Sequence, residues 1–154
     1  DFTVIIDYAH TPDGLENILK TFKDVPKNRL IALFGCGGDR DRTKRPKMGK
    51  IAAQLADYCI VTSDNPRSEN PSLIIQDILA GMEDEKTPYT VVENRVEAIK
   101  YAVANARTGD IIVLAGKGHE TYQILGTGTI HLDEREVVAA ALRERAEKEK
   151  ALQQ

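Results

Sequence analysis

A polar turn that could recognise a small molecule, Asp64, Asn65, Pro66 and Arg67, comes just after the apolar strand-like residues 58–62. Pro66 fixes its own backbone and biases Asn65 toward an extended conformation, which gives the neighbouring side chains defined directions at little entropic cost. Arg67 offers a planar guanidinium that suits a carboxylate. A capped loop without a ligand would contain the same residue types, so the turn alone leaves both interpretations open.

A segment at residues 35–42 begins with closely spaced glycines and contains Arg40 just after them. Closely spaced glycines allow a backbone to approach a ligand or to turn sharply. The segment has neither the spacing of a dinucleotide fingerprint nor the Gly-Lys-Ser or Gly-Lys-Thr of a phosphate loop. The basic residues Lys44 and Arg45, just beyond it, are interpreted as solvated surface.

A second glycine-rich turn, residues 116–120, combines Lys117, His119 and Glu120. No Ser or Cys is placed beside it by sequence, so a binding role is favoured over hydrolytic catalysis. Glu120 could accept a hydrogen bond from a substrate ammonium while Arg40 and Arg67 donate to a carboxylate. Each such charge-assisted bond contributes roughly 1.5 to 3 kcal/mol, which is enough to discriminate among amino acids.

Asp7 and His10 lie between the first apolar stretch and a helix predicted to begin at Thr11 and Pro12. The free N–H groups and the positive dipole end of a helix N-terminus favour an anion. Asp7 could hold a ribose hydroxyl or a hydrated cation, and His10 could contact a phosphate or stack on a base. His10 could equally cap or pack locally.

Strand-like and helix-like patterns alternate along the chain, which predicts an α/β fold. We expect a Rossmann-like open, mostly parallel sheet of about six strands, with helices on both faces and one antiparallel edge strand. Asn70, Asn94 and Asp133 are predicted to begin later helices, and Gly109 to end one. Ligands bind at the carboxyl ends of such strands, so the four polar loops should meet at one edge. The predicted strands cover residues 2–7, 29–34, 58–62, 89–92, 110–114, 121–125 and 129–132.

Length and charge limit the possible functions. A chain of 154 residues with 42% apolar residues predicts a single domain, residues 1–154. The net charge of -3, with both signs interspersed, gives no basic stripe for nucleic acid, and no apolar run suits a membrane. Cys36 and Cys59 lack a metal-binding spacing, which favours a reducing cytoplasm. The chain starts with Asp1 inside a strand-like run, so we expect a piece of a longer protein, and we expect a monomer.

Four ordered motifs together are highly specific. The sequence resembles the C-terminal domain of the Mur ligases, in particular the diaminopimelate-adding branch (MurE, UDP-N-acetylmuramoyl-L-alanyl-D-glutamate--2,6-diaminopimelate ligases). The resemblance covers nearly the whole chain, and lysine-adding relatives carry a different residue where Arg67 stands. It implies that meso-diaminopimelate is bound by Arg40, Asp64, Asn65, Pro66, Arg67, Gly116 and Glu120. It also implies that Asp7 and His10 approach ATP. The motifs that carry it are residues 7–13, 35–41, 64–67 and 116–120.

The resemblance further implies an ATP-dependent ligase that uses Mg²⁺ and UDP-N-acetylmuramoyl dipeptide and proceeds through an acyl phosphate. ATP, Mg²⁺ and the UDP-linked substrate would be held mainly by domains absent from this chain. No catalytic residue and no metal ligand are therefore expected here, and the chain alone should be inactive. Two alternatives stay open: a related lysine-adding or folylpolyglutamate-type ligase domain, and a free-standing amino-acid or nucleotide-binding module.

Overall fold

A computed structural model describes residues 1–153 of the chain, in which strands and helices alternate as the sequence predicts. The strands are β1 (Thr3–Asp7), β2 (Leu30–Phe34), β3 (Tyr58–Val61), β4 (Tyr89–Val91), β5 (Ile111–Ala115), β6 (Tyr122–Leu125) and β7 (Gly128–His131). The helices are α1 (Pro12–Lys23), α2 (Lys44–Leu55), α3 (Pro71–Ala80), α4 (Arg95–Ala104) and α5 (Glu134–Leu152).

The main sheet has five strands in the order β1-β5-β2-β3-β4, and every neighbouring pair is parallel. The central strands β2 and β5 are buried along their whole length, because helices cover both faces. One apolar layer packs α1, α2 and α3 against one face, and a second packs α4 and α5 against the other. The predicted α/β class, with helices on both faces, is confirmed.

Short polar side chains begin the helices at the predicted places. The backbone N–H of Gly14 donates to Thr11 Oγ1 at 3.1 Å, and Asn70, Asn94 and Asp133 accept similar bonds at the starts of α3, α4 and α5. The predicted stop of α4 at Gly109 is wrong, because the helix already ends at Ala104. Gly109 instead turns the chain into β5 with a φ of 86°, a conformation that glycine adopts without strain.

The predicted hairpin exists, but it does not add an antiparallel strand to the edge of the main sheet. β6 and β7 form a separate two-stranded antiparallel sheet. The reason is that β6 is hydrogen-bonded to the turn after β3: Arg67 N donates to Ile124 O at 3.1 Å, and Ile124 N donates to Asn65 Oδ1 at 3.0 Å. The hairpin therefore lies beside the carboxyl ends of the strands.

The two cysteines of the sequence form no disulfide. Cys36 and Cys59 are free and buried, and burial raises the pKa of each thiol to about 12. Neither thiol is thus a reactive nucleophile at neutral pH.

Within residues 1–153, none of the helices is both long enough and apolar enough to cross a membrane.

Candidate functional site

A cleft of about 330 Å³ opens at the carboxyl edge of the main sheet, where the loops after β1, β2, β3 and β5 meet. The parallel register makes this meeting inevitable, because Phe34 pairs with Val61 and Asp7 with Ala115 at the ends of their strands. The four polar loops are thereby brought together. The cleft is lined by Tyr8, His10, Thr11, Gly37, Arg40, Lys44, Asp64, Asn65, Arg67, Gly116 and Glu120.

The turn Asp64–Arg67 and the glycine-rich segment after β2 are one structural unit. Gly38 N donates to Asn65 O at 2.8 Å, and Arg67 Nη1 donates to Gly38 O at 2.9 Å. A Cβ atom on Gly38 would lie 1.9 Å from Pro66 O, so only glycine fits. Arg67 itself has a φ of 52°, the left-handed conformation that side-chain-bearing residues rarely adopt. These contacts hold the Arg67 backbone in a strained position.

Arg67 lines the cleft, and part of its guanidinium has no partner in the described part of the chain. Its Nη1 atom is engaged with backbone carbonyls, whereas Nε and Nη2 have no hydrogen-bond partner among residues 1–153. A guanidinium with free donors on two adjacent nitrogens can hold a carboxylate in two bonds. Pro66 does not line the cleft, and its contribution is to place its carbonyl against Gly38.

Asn65 has a fixed amide orientation. Its Oδ1 atom accepts hydrogen bonds from Lys117 Nζ at 2.7 Å and from Ile124 N at 3.0 Å. Both partners can only donate, so the oxygen is identified by the network. The Nδ2 group, which donates, is the part of the side chain that stays available.

The acidic side of the cleft consists of Asp64 and Glu120. Their carboxylates lie 3.3 and 3.9 Å from Lys117 Nζ, and Tyr122 Oη donates to Glu120 Oε2 at 3.2 Å. The Glu120 carboxylate raises the pKa of the Tyr122 hydroxyl. Gly116, with a φ of 120°, brings its backbone close to the Asp64 carboxylate.

Lys117, which sequence reasoning considered for catalysis, is fully buried. Burial lowers the pKa of its ammonium group, and the nearby Asp64 carboxylate opposes that shift. Its Nζ donates to Asn65 Oδ1 and Tyr122 O, and it forms an ion pair with Asp64. It therefore contributes contacts between loops rather than a group exposed to a substrate.

Arg40 stands at the open rim of the cleft. Its Nη1 atom donates to Asp39 O at 2.9 Å, and the residue is exposed. The backbone of Asp39 is left-handed, with a φ of 55°, and its carboxylate accepts bonds from the backbone and hydroxyl of Ser68. The Ser68 bonds lower the pKa of the Asp39 carboxyl group. The rim is thus tied to the residue that follows the Asp64–Arg67 turn.

Arg45 was predicted to be solvated surface, and that prediction is wrong. Its side chain is 1% exposed and donates to Glu69 Oε2 at 2.7 Å, Asp77 Oδ2 at 3.0 Å and Gly37 O at 3.0 Å. The Arg45 bond is the main cause that lowers the pKa of Glu69 to about 2. Lys44 also has a partner, because its Nζ donates to His10 O at 3.2 Å.

Arg95, at the start of α4, was missed by sequence reasoning. It is buried and donates from Nη1 to Ser63 O at 3.0 Å and from Nη2 to Ala115 O at 2.8 Å. Ser63 immediately precedes the Asp64–Arg67 turn, and Ala115 immediately precedes Gly116. One side chain thus fixes the starting points of two loops of the cleft.

In the loop after β1, both Asp7 and His10 contact backbone groups of the same loop. Asp7 Oδ2 accepts from Ala9 N at 2.9 Å, and Asp7 is not among the residues that line the cleft. His10 lines the cleft, and its Nδ1 lies 3.0 Å from Tyr8 O, which assigns the proton to Nδ1 because a carbonyl only accepts. The Tyr8 ring lies near the rings of both His10 and His119.

No group of three His, Cys, Asp or Glu side chains in the described part of the chain is arranged to hold a metal ion. The polar groups around the cleft instead include both donors and acceptors. Arg40, Arg67 and Asn65 Nδ2 donate, while Asp64 and Glu120 accept. Such a cleft suits a ligand that carries both a carboxylate and an ammonium.

The family model described as "Mur ligase, glutamate ligase domain" matches residues 1–118 of the chain. The chain belongs to the Mur ligases. Two curated family members are named UDP-N-acetylmuramoyl-L-alanyl-D-glutamate--2,6-diaminopimelate ligase. The Clostridium acetobutylicum protein, the one numbered 1, is 59% identical over 144 residues, covering 94% of this chain. The Trichormus variabilis protein is 61% identical over 145 residues, also covering 94% of this chain.

A solved structure with the same ligase name resembles this Mur ligase chain in its fold, with a TM-score of 0.86 and 43% identity across 93% of the chain. The chain spans 29% of that structure and 30% and 29% of the two curated relatives. Glu120 and the hairpin lie beyond the residues that the family model matches, but the sequence relatives extend over almost the whole chain.

Proposed function

We propose that this chain is the C-terminal, amino-acid-binding domain of an ATP-dependent ligase that adds meso-diaminopimelate to UDP-N-acetylmuramoyl-L-alanyl-D-glutamate. Residues 1–154 act as one unit in this proposal. The observation that carries it is the cleft that is lined both by Arg67, which has free donors, and by the carboxylate of Glu120. The names of the relatives, at 59–61% identity, support the same substrate.

The charge pattern of the cleft fits the end of diaminopimelate that does not react. That end carries one carboxylate and one ammonium. Arg67, Arg40 and the Asn65 amide donate to the carboxylate, while Asp64 and Glu120 accept from the ammonium. Gly116 keeps the backbone close to Asp64 and leaves room beside it.

Nucleotide is proposed to approach the loop after β1. His10 lines the cleft and leaves Nε2 outward from its bond to Tyr8 O, so it can accept from a ribose hydroxyl or contact a phosphate. Asp7 has one carboxylate oxygen engaged by Ala9 N, which leaves the other for a hydroxyl. ATP with Mg²⁺ would supply the phosphoryl group that activates the carboxylate substrate. No residue of this chain is assigned to the metal.

The contribution of this domain is orientation. In the proposed reaction the D-glutamyl carboxylate becomes an acyl phosphate, and the amine of diaminopimelate displaces the phosphate. Holding the amine about 3 Å from the reacting carbon removes much of the entropic cost of a bimolecular encounter. The cytoplasmic location and the monomeric state stay predictions.

Calorimetric titration of the chain with meso-diaminopimelate, L-lysine and ATP tests the proposal. We expect meso-diaminopimelate to bind more tightly than L-lysine, because lysine lacks the carboxylate that Arg67 would hold. Equal affinity for the two amino acids would favour a lysine-adding ligase. A free-standing binding module differs in a second measurement: the full-length protein would fail to release phosphate when ATP, dipeptide substrate and meso-diaminopimelate are combined.

A further inference from the structure

Lys117 is fully shielded from solvent, yet its ammonium group lies against the cleft rather than in the apolar core. Its Nζ donates to Asn65 Oδ1 at 2.7 Å and to Tyr122 O at 3.1 Å. The same atom lies 3.3 Å from Asp64 Oδ1 and 3.9 Å from Glu120 Oε1. One ammonium therefore joins the Asp64–Arg67 turn, the hairpin and the acidic side of the cleft.

The contact with Asn65 decides which kind of ligand group that side chain can bind. Lys117 Nζ and Ile124 N both donate to Oδ1, so the oxygen is occupied by the protein. Nδ2 has no hydrogen-bond partner within residues 1–153. Because an amide N–H group only donates, Asn65 can bind a ligand carboxylate and cannot bind an ammonium.

The charge of Lys117 also favours a carboxylate over an ammonium in the cleft, by a second route. Asp64 and Glu120 place two carboxylates at the cleft, and two uncompensated negative charges would repel an incoming carboxylate. The buried ammonium compensates them at short range, where little water screens the interaction. A neutral residue here would leave Asp64 and Glu120 without their nearest cation, and it would weaken the attraction that Arg40 and Arg67 exert on a ligand carboxylate.

We propose that Lys117 is a positioning residue that makes the cleft select amino acids with a second carboxylate, by orienting the Asn65 amide and by compensating Asp64 and Glu120. This inference rests on the proposed function. Lys117 does not touch the substrate, and it acts through Asn65 and through the two carboxylates.

The test compares Lys117→Met with wild type and with the matched control Lys86→Met, which removes the same charge from an exposed loop. Each protein is titrated with meso-diaminopimelate and with L-lysine, which has hydrogen in place of the second carboxylate. We expect the preference for meso-diaminopimelate to fall about tenfold or more in Lys117→Met, the loss of roughly one charge-assisted bond. The control should keep the wild-type preference.

A preference that is unchanged in Lys117→Met, or an equal loss of affinity for both amino acids, would overturn the inference. Absence of any preference in the wild-type chain would instead contradict the proposed function. If Lys117→Met does not fold, Lys117→Gln serves in its place, because Gln keeps a donor for Asn65 but not the charge. The preference of Lys117→Gln for meso-diaminopimelate over L-lysine should also be lower than that of wild type.

A measurement without ligand tests separately whether Lys117 orients the Asn65 side chain. Hydrogen exchange of the Ile124 backbone amide, which donates to Asn65 Oδ1, is compared between wild type and Lys117→Met. We expect exchange about tenfold faster in the variant, because Asn65 loses a charged partner, while the core amide of Val113 keeps its rate. An Ile124 amide that exchanges at the wild-type rate would overturn the inference.

Discussion

Arg95 Nε donates to Glu134 Oε2 at 2.9 Å, and both side chains are fully buried. The pair joins the first residue of α4 to the first residue of α5. Because Arg95 also holds the carbonyls of Ser63 and Ala115, the ion pair lies directly beneath two loops of the cleft.

Replacing Arg95 by Met should lower the free energy of unfolding by about 3 to 5 kcal/mol, since it leaves the Glu134 charge buried without a partner. Urea unfolding measures the change. The double variant Arg95→Met/Glu134→Leu should recover part of the loss, because both charges are then removed. A double variant that is less stable than Arg95→Met would contradict this explanation.

Two neighbouring glycines should respond differently to Ala. A Cβ on Gly38 would lie 1.9 Å from the backbone atom Pro66 O, whereas a Cβ on Gly37 would lie 2.9 Å from the movable tip of Arg67. Gly38→Ala should therefore cost about 1 to 3 kcal/mol of stability by displacing the turn. Gly37→Ala should be more stable than Gly38→Ala, and it should weaken meso-diaminopimelate binding by moving the guanidinium. Thermal unfolding measures the two stabilities, and calorimetry measures the two affinities. A Gly37→Ala variant that is less stable than Gly38→Ala would contradict the prediction.

Arg67→Ala in the full-length ligase should raise the KM for meso-diaminopimelate about tenfold to a hundredfold, the loss of one or more charge-assisted bonds. The KM for ATP should stay near wild type, because no Arg67 contact lies in the loop after β1. Steady-state kinetics with each substrate varied in turn measures both. An unchanged apparent affinity for meso-diaminopimelate would refute the role proposed for Arg67.

Glu69 should make stability depend on pH in the acid range. Its pKa is lowered from 4.5 to about 2, mainly by the bond from Arg45. A carboxylate with a depressed pKa stabilises the fold above its unfolded pKa, and that contribution is lost as pH falls from about 4.5 toward 2. Urea unfolding at pH 7 and pH 3 should show a smaller difference for Glu69→Gln than for wild type. Equal differences in the two proteins would contradict the prediction.

Much of the fold is predictable from local sequence. The all-apolar runs of β2 and β5 indicate buried parallel strands, and Thr11, Asn70, Asn94 and Asp133 indicate the helix starts. The meeting of the polar loops also follows, because the carboxyl ends of parallel strands share one edge. Arg40, Asp64, Asn65, Arg67, Gly116, Glu120 and His10 do line the same cleft.

The parts that sequence reasoning missed depend on partners far apart in the chain. Arg45 looks like a solvated residue until Glu69 and Asp77 are placed beside it, and Arg95 until Glu134 is. A long charged side chain is buried only where such partners exist, and local patterning contains no sign of them. The position of the hairpin was missed for the same reason, since its anchor is the distant Asn65 side chain.

The attachment of the hairpin has a consequence for how the cleft is assembled. Gln123 Nε2 donates to Asp64 O and Ile124 N donates to Asn65 Oδ1, so the hairpin closes the cleft from a part of the chain that follows all five strands of the main sheet. A chain that ends at residue 118 would contain all five strands of the main sheet but would lack the clamp on Asn65. During synthesis, the cleft is therefore completed only after the sheet that supports it.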